Sequence, residues 1–185
     1  MTLYKDRFKK FYNVENLGEN MEKIPQLFVE SNIEECVYEG KTKVDCIIIQ
    51  DNIEVRLKKG ESIPEFINLE KAKFMKKEVY DRFHFYVDKY EHKMICDAII
   101  VFPDRRTELR LYKEDELMLL PVEGYVSSII AGIGNRVRKS DAFAAITSKK
   151  GEVHYLKPPK NGVVVYIDEF TNRPHYIYYL LPEEG

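Results

Sequence analysis

A nine-residue pattern occurs twice in the second half of the chain, and it constrains the fold more than any other feature of the sequence. Both copies read Pro-x-x-Gly-x-Val-x-x-Ile, one beginning at Pro121 and the other at Pro159. Proline fixes φ and glycine permits positive φ, so Gly124 and Gly162 each predict a tight turn that leads into a strand. Two such units in one chain predict a quasi-symmetric β structure.

The composition indicates a soluble, strand-rich globular protein. Apolar residues make up 44% and charged residues 32% of the 185 positions, enough for one good core or two small domains. Thirteen tyrosines and ten phenylalanines accompany no tryptophan, and such aromatic residues favour strands. The 29 basic and 31 acidic residues nearly balance, which predicts no nucleic-acid partner.

Three further features of the sequence concern location. No apolar run approaches the length of a membrane span, and the first residues lack the apolar centre of a signal peptide. Cys36, Cys46 and Cys96 show no Cys-x-x-Cys spacing, which argues against a disulfide framework or a structural zinc site. The sequence therefore predicts no membrane partner and a cytoplasmic location.

The first sixty residues predict one short helix and one hairpin. Tyr4, Phe8, Phe11 and Tyr12 have the spacing of a surface helix, and residues 16–20 have the composition of a turn. Residues 44–50 and 53–57 predict two strands joined by a two-residue turn at Asp51-Asn52.

The middle of the chain allows two interpretations. Residues 75–94 fit either a long amphipathic helix or, past residue 80, a hairpin that turns at Asp88-Lys89. We favour a helix from Pro64 to about Tyr80 and then the hairpin, because the aromatic residues alternate. On a long helix, Asp81, His84, Asp88 and His92 would share one face and could bind a metal; the hairpin disperses them, so no metal site is predicted.

Strands are predicted at residues 95–102 and 108–112, and the polar stretch 113–116 predicts a domain boundary. The chain then divides into an α+β domain over residues 1–117, of unknown role, and a mainly β domain over residues 118–185. The predicted core of the second domain is Val126, Ile129, Val137, Ile146, Val164 and Ile167.

From residue 120 onward the chain resembles a biotinyl/lipoyl attachment domain. That family has two Pro-x-x-Gly-x-Val units. Its Gly-Asp-x-Val-x-x-Gly turn corresponds here to Gly134-Asn135-Arg136-Val137-Arg138-Lys139-Ser140, in which Asn replaces the Asp and Ser replaces the second Gly, both turn-compatible residues. The resemblance implies a barrel-sandwich hybrid, with structural turns at Pro121, Gly124, Gly134, Pro159 and Gly162. The whole chain also resembles an uncharacterised archaeal family whose C-terminal part has this shape.

In such a domain a lysine on a hairpin carries the prosthetic group. Counting forward from Gly124 places that position on Lys150, and counting back from Pro159 places it on Gly151, so the hairpin has one extra residue. Biotin domains flank the lysine with methionines, and lipoyl domains have an acidic residue before it, whereas Lys150 follows Lys149.

Two functional hypotheses follow from this comparison. The first is a non-enzymatic interaction or scaffold module that keeps the carrier shape without a cofactor. It would bind a protein partner or form a homo-oligomer. The aromatic run at residues 175–181 is either that contact surface or the last strand of the barrel. The alternative is a swinging-arm carrier with biotin or lipoate on Lys150. No stretch has the pattern of Ser/His/Asp or Cys/His catalysis, so no catalytic residue is predicted.

Overall fold

The computed structural model describes residues 8–10, 24–104 and 107–184, the first three as backbone only. The chain forms two compact units, and each unit is built from two separate segments. One contains Met1–Arg82 and Cys96–Lys113, and the other contains Phe83–Ile95 and Glu114–Gly185. The predicted domain boundary at residue 117 concerns independent folding and stays a prediction.

Strands dominate both units, which confirms the prediction of a mainly β protein. Up to residue 111 the elements are β1 (Phe8–Lys10), β2 (Gln26–Ser31), α1 (Ile33–Cys36), β3 (Val37–Tyr38), β4 (Lys41–Thr42), β5 (Cys46–Gln50), β6 (Ile53–Leu57), β7 (Lys73–Glu78), a 3-10 helix (Tyr80–Tyr86), β8 (Val87–Asp88), β9 (Lys93–Met94), β10 (Ala98–Val101) and β11 (Thr107–Leu111). The later elements are β12 (Met118–Val122), β13 (Val126–Ile129), β14 (Arg136–Val137), β15 (Ala144–Thr147), β16 (Val153–Leu156), β17 (Gly162–Glu169) and β18 (Tyr176–Pro182). Within the described residues, no helix is long and apolar enough to cross a membrane.

The first unit is organised around one antiparallel sheet with the strand order β1-β11-β10-β2-β7-β5-β6. The predicted hairpin is confirmed: β5 and β6 are adjacent in the chain, and Gln50 lies opposite Ile53 across the two-residue turn. Successive side chains of β5 point to opposite faces of the sheet, so they pack in two different cores. Ile47 packs on one side with Phe28 and Met75, and Ile48 packs on the other side.

The helix predicted from Pro64 to Tyr80 is wrong. Residues 73–78 form β7, which lies between β2 and β5 in the sheet. Because both faces of this strand are covered, the adjacent residues Phe74 and Met75 are both buried, in different cores. Two consecutive apolar residues break the alternation of a half-exposed strand and imitate a helical stripe.

The hairpin predicted beyond residue 80 is partly confirmed. Val87 pairs with Met94, so the chain does turn and return here. The turn is stabilised by the Asp88 carboxylate, which accepts hydrogen bonds from the backbone N–H groups of Tyr90 (2.8 Å) and Glu91 (3.0 Å). The strand predicted over residues 83–86 is wrong, since Tyr80–Tyr86 is a 3-10 helix.

At the start of the chain, the predicted surface helix is wrong at residues 8–10, which form β1 and pair with β11. Tyr4, Phe11, Tyr12 and the predicted turn at residues 16–20 lie outside the described residues. Pairing with a neighbouring strand supplies hydrogen bonds that a three-residue segment cannot supply for itself, so tertiary contacts outweigh local spacing here.

Four charged side chains form a cluster in the first unit, on the same face of the sheet as Phe28 and Ile47. Glu54 and Arg56 belong to β6, and Glu108 and Arg110 belong to β11. Arg56 forms an ion pair with Glu108, and Arg110 forms one with Glu54. In a flat sheet these two strands would be about 24 Å apart, five spacings of ~4.8 Å. The ion pairs therefore require the sheet to curl.

The second unit contains two smaller sheets, with the strand orders β12-β18-β17-β14 and β13-β15-β16. Their shared core consists of Val122, Ala131, Val137, Phe143, Ala144, Val164, Tyr178 and Leu180. Tyr178 also donates a hydrogen bond from its hydroxyl to the carbonyl oxygen of Ala131, at 2.9 Å. This bond satisfies a polar group that is buried with its ring.

The predicted core of this unit is correct in part. Val137 and Val164 are buried, and Ile146 and Ile167 pack against the core from partly buried positions. Val126 and Ile129 are wrong, with exposed fractions of 51% and 47%. They lie on β13, an edge strand, whereas the second copy of the pattern lies on β17 between two neighbours.

The aromatic run at residues 175–181 is also not the surface that we expected. It forms β18, which lies between β12 and β17, and Tyr178, Tyr179, Leu180 and Leu181 are buried. The ring of Tyr179 packs on two other rings. Its centroid lies 5.4 Å from that of Tyr166 and 6.1 Å from that of Phe83. The register shifts between Val164 and Tyr166, so Val164 lies on the same face as Leu180 and Tyr166 lies on the opposite face with Tyr179.

Candidate functional site

The two glycines of the repeated pattern are held by close contacts. A Cβ atom on Gly124 would lie 2.7 Å from Cβ of Ile146, and one on Gly162 would lie 2.8 Å from the carbonyl oxygen of Leu181. Neither glycine has positive φ, in contrast to Gly134 (φ +86°). The first two positions therefore need glycine because of space, and the third needs it because of backbone conformation.

The two prolines of the pattern lie in different surroundings. Pro121 is part of β12, an edge strand, where a missing N–H group is tolerated. Pro159 lies in the loop between β16 and β17. The structure thus places the two copies at strand beginnings but does not give them the same turn.

Gly134 opens a turn that lies between the two copies in the chain and is hydrogen-bonded to the second copy. Its N–H group donates to the carbonyl oxygen of Val164 at 2.7 Å. The N–H group of Val164 donates in turn to the backbone carbonyl oxygen of Asn135 at 3.0 Å. Further along, the N–H group of Lys139 donates to the side-chain oxygen of Asn161 at 2.8 Å. The segment 134–139 is therefore attached to the beginning of β17.

The hairpin between β15 and β16 ends in a tight loop, residues 148–152, which we call the hairpin tip. The Ser148 N–H group donates to the carbonyl oxygen of Glu152 at 2.9 Å. The Gly151 N–H group donates to the backbone carbonyl oxygen of Ser148 at 3.0 Å. Gly151 has a φ of +84°, which favours glycine at that position. The Ser148 hydroxyl accepts from the N–H groups of Lys150 (3.3 Å) and Glu152 (3.2 Å).

These bonds place Lys149 and Lys150 at the outermost point of the hairpin, where both are exposed. Neither amine forms an ion pair within the part of the chain that the structure describes. Lys150 is thus a primary amine on an ordered, solvent-facing turn. Such an amine can be acylated, or it can contact an anionic group on another molecule.

The outer face of the three-stranded sheet, next to the hairpin tip, is apolar and exposed. Val126 lies in register with Thr147 and Val153, and Ser128 lies in register with Ala145 and Tyr155, so these six side chains share one face. The exposed fractions of Val126, Val153 and Tyr155 are 51%, 52% and 65%. A sheet face with three exposed apolar side chains is a candidate contact surface.

A polar contact that the sequence did not indicate joins Ser127 and His175. The Ser127 Oγ atom lies 2.8 Å from Nδ1 of His175, and both residues are half-buried. The backbone N–H group of His175 also donates to the carbonyl oxygen of Val122 at 3.1 Å. No local pattern could indicate this pair, since 48 positions separate the two residues. It attaches the segment before β18 to β13.

Residues that could have formed a metal site do not converge. Within the described residues, no group of three or more histidine, cysteine, aspartate or glutamate side chains could hold a metal ion. Asp88 is hydrogen-bonded to the backbone of its own turn, and the ring of His84 packs against Phe85 at 4.2 Å.

The three cysteines are free thiols with low reactivity. Burial raises the pKa of Cys46 to about 12 and that of Cys96 to about 11, and burial also raises the pKa of Cys36. Such thiols are protonated at neutral pH, and the protonated form is a poor nucleophile and a poor metal ligand.

Comparison with known proteins identifies relatives over most of the chain. Residues 22–183 match the family described as "Uncharacterized protein conserved in archaea (DUF2118)". The chain is also 28% identical over 173 residues to "Uncharacterized protein MJ0859" of Methanocaldococcus jannaschii, an alignment that covers 89% of this chain and 95% of that protein. The whole-chain resemblance to an archaeal family is therefore confirmed, while the biotinyl/lipoyl resemblance stays a prediction. The protein belongs to this archaeal family.

Proposed function

We propose that this protein is a non-enzymatic interaction or scaffold module. The observation that supports this function best is the exposed outer face of the three-stranded sheet, which carries Val126, Val153 and Tyr155. Burying three such side chains against a partner provides several kcal/mol, at about 25 cal/mol for each Å² of apolar surface. The partner is another protein or a second copy of the chain, in the cytoplasm.

The second unit is proposed to be a degenerate biotinyl/lipoyl-like domain. Three observations support this: two small sheets share one core, both pattern glycines lie at close approaches, and a lysine occupies the tip of a hairpin. The proposal accounts for a carrier shape without the flanking residues that a modifying enzyme reads.

The interaction hypothesis is tested on the full-length protein purified from its native host. Native mass spectrometry and affinity purification should give a stable assembly, either with another protein or between copies. The double variant Val126→Ser/Tyr155→Ser should lose that assembly, and Phe66→Ser, which replaces an exposed phenylalanine in the first unit, should retain it. A protein that stays monomeric and alone under all conditions would contradict the hypothesis.

A carrier function is the second candidate, because the hairpin tip holds Lys150 exposed beside a glycine with positive φ. Biotin or lipoate on Lys150 would then reach the active site of a partner enzyme. Intact mass of the protein from its native host is the test. An added mass of biotin or lipoate that disappears in Lys150→Arg and remains in Lys149→Arg would establish the carrier function. An unmodified mass would refute it.

A further inference from the structure

We propose that the edge of β16 binds an extended, acidic segment of another protein, which adds to the three-stranded sheet as a fourth strand. This inference rests on the proposed interaction function and names both the surface and the chemical class of the partner. The occupied surface consists of the β16 backbone, the apolar outer face described above and the lysines at both ends of the strand.

The backbone of β16 has hydrogen-bonding groups on its outer side. In the order β13-β15-β16 this strand has a neighbour on one side only. The Ser148–Glu152 hydrogen bond and the antiparallel register direct the N–H and C=O groups of residues 152, 154 and 156 toward β15. The corresponding groups of Val153 and Tyr155 therefore point away from the sheet. Within the described ranges, no other backbone group pairs with them.

The strand has four residues and is followed by Lys157, Pro158 and Pro159, so the segment that it can pair with is short. Residues 153–156 contain no proline, no lysine and no irregular register. Two donors and two acceptors in a row are complementary to another extended polypeptide, and they are the basis of strand addition. A nucleic acid has no matching row of amide groups, so the backbone pattern favours a protein segment.

The charge of the surrounding segment determines which polypeptide fits. Between residues 124 and 165 the chain has seven basic residues and two acidic ones, although the whole chain has a net charge of −2. The basic residues of this segment are Arg136, Arg138, Lys139, Lys149, Lys150, Lys157 and Lys160.

The lysines lie at both ends of the edge strand. Lys149 and Lys150 are at the hairpin tip before β16, and Lys157 follows its last residue; all three are exposed. No acidic side chain of the described ranges forms an ion pair with them. Of the two acidic residues of the segment, Asp141 accepts a hydrogen bond from the Arg138 N–H group at 3.2 Å, and Glu152 is an exposed carboxylate at the hairpin tip, outnumbered there by Lys149 and Lys150.

The same charges disfavour pairing of β16 with the β16 of a second copy. In an antiparallel pair, Lys149 and Lys150 of one copy would lie beside Lys157 of the other, at both ends of the interface. Like charges placed opposite each other destabilise a strand pair. A segment with acidic residues at its ends and apolar residues facing Val153 and Tyr155 satisfies both the charges and the apolar face.

Peptide binding to the full-length protein tests the inference. The probe is fluorescein-labelled Asp-Glu-Val-Thr-Val-Tyr-Glu-Asp, with Lys-Lys-Val-Thr-Val-Tyr-Lys-Lys and an eight-nucleotide uridine RNA as comparisons, all measured by fluorescence anisotropy. We expect the acidic peptide to bind at least tenfold more tightly than either comparison, and its affinity to fall as salt rises.

Two variants separate the contribution of the lysine charges to binding from that of the backbone hydrogen bonds. Lys149→Glu/Lys150→Glu/Lys157→Glu should reduce the affinity for the acidic peptide at least tenfold, while the matched reversal Lys58→Glu/Lys59→Glu/Lys71→Glu in the first unit should leave it within a factor of two. Tyr155→Pro removes an outward N–H group without removing a bond to β15, and should also reduce binding tenfold. Hydrogen exchange of the wild-type protein gives a readout that does not depend on how this variant folds: the Val153 and Tyr155 amides should become protected when the acidic peptide is added.

Three results would overturn the inference: equal binding of the lysine peptide, tighter binding of the RNA, or no added protection of the two amides. The proposed interaction function is tested separately by native mass spectrometry. If an assembly is found there and the acidic peptide does not bind, the inference is wrong and the interaction function stands. If neither is found, both are wrong.

Discussion

At the scale of single residues, glycine illustrates what the sequence could and could not predict. The repeated pattern identified Gly124 and Gly162 as necessary, and their surroundings support that conclusion. The reason is different from the expected one, because both need space for a neighbouring atom and neither has positive φ. Space depends on Ile146 and on Leu181, which are distant in the chain, so no local reading of the pattern could find it.

The first prediction concerns Gly124→Ala. The new Cβ atom would lie 2.7 Å from Cβ of Ile146, closer than real Cβ contacts, so β13 or β15 must shift. Such overpacking costs about 1–3 kcal/mol of the free energy of unfolding. Gly132→Ala is a matched control, because its Cβ atom would meet nothing closer than 3.6 Å. Urea denaturation of both variants measures the difference, and equal stability of the two would contradict the predicted clash.

At the scale of elements, the charge cluster joins two strands that come close only because the first sheet curls. Glu108 is 1% exposed. Its carboxylate forms an ion pair with Arg56, which lies on a strand five positions away in the sheet. Removing only one partner of such a pair leaves a buried charge without compensation, which costs more than removing both.

The second prediction follows from this asymmetry. Arg56→Leu should lower the free energy of unfolding by about 3 kcal/mol, since it leaves the buried Glu108 carboxylate without its ion-pair partner. The double variant Arg56→Leu/Glu108→Leu should recover much of that loss and retain the Arg110–Glu54 pair. Thermal and urea unfolding of the single and double variants gives the coupling between the two positions. A double variant less stable than the single one would rule out the proposed role of this pair.

The third prediction concerns acid. Burial alone would raise the pKa of Glu54, but hydrogen bonds from Arg56 and Arg110 outweigh it and lower the pKa below the ordinary value. A carboxylate with a lowered pKa in the folded state contributes stability that is present above its unfolded pKa and is lost as the pH falls through the folded one. The free energy of unfolding should therefore decrease below about pH 4. Glu54→Gln should be less stable at pH 7 and should lose less stability between pH 5 and pH 3, as measured by urea denaturation.

Some strands could be predicted from the local sequence, and others depend on contacts with residues that are distant in the chain. The hairpin at residues 46–57 was predictable, because β6 alternates and a two-residue turn connects its strands. β7 was not, because Phe74 and Met75 contact two different cores and so show no alternation. The hairpin at residues 148–152 was expected from the resemblance to a biotinyl/lipoyl attachment domain. The outward edge of β16 could not be predicted, since it depends on which strands pair.

At the scale of the whole molecule, the chain order and the compact units do not coincide. Residues 83–95 belong to the same unit as residues 114–185, with the return to the first unit between them. This segment contributes Phe83, Val87 and Met94, all at most 5% exposed. No composition shift marks it, and its role follows only from long-range contacts such as that between Phe83 and Tyr166, at 5.3 Å.

The last prediction tests whether this inserted segment is part of the second unit's folding. A fragment of residues 114–184 lacks Phe83, Val87 and Met94, and burial of such side chains stabilises a fold by about 1.5–3 kcal/mol each. We expect that fragment to be unfolded or to bind a hydrophobic dye. Residues 83–95 joined to it through a short Gly-Ser linker should restore cooperative unfolding. The linker can be short because the N–H group of Glu114 already donates to the carbonyl oxygen of Met94, at 2.9 Å. Circular dichroism during heating distinguishes the two fragments. If residues 114–184 unfold cooperatively by themselves at the temperature of the joined fragment, the inserted segment only covers a unit that folds without it.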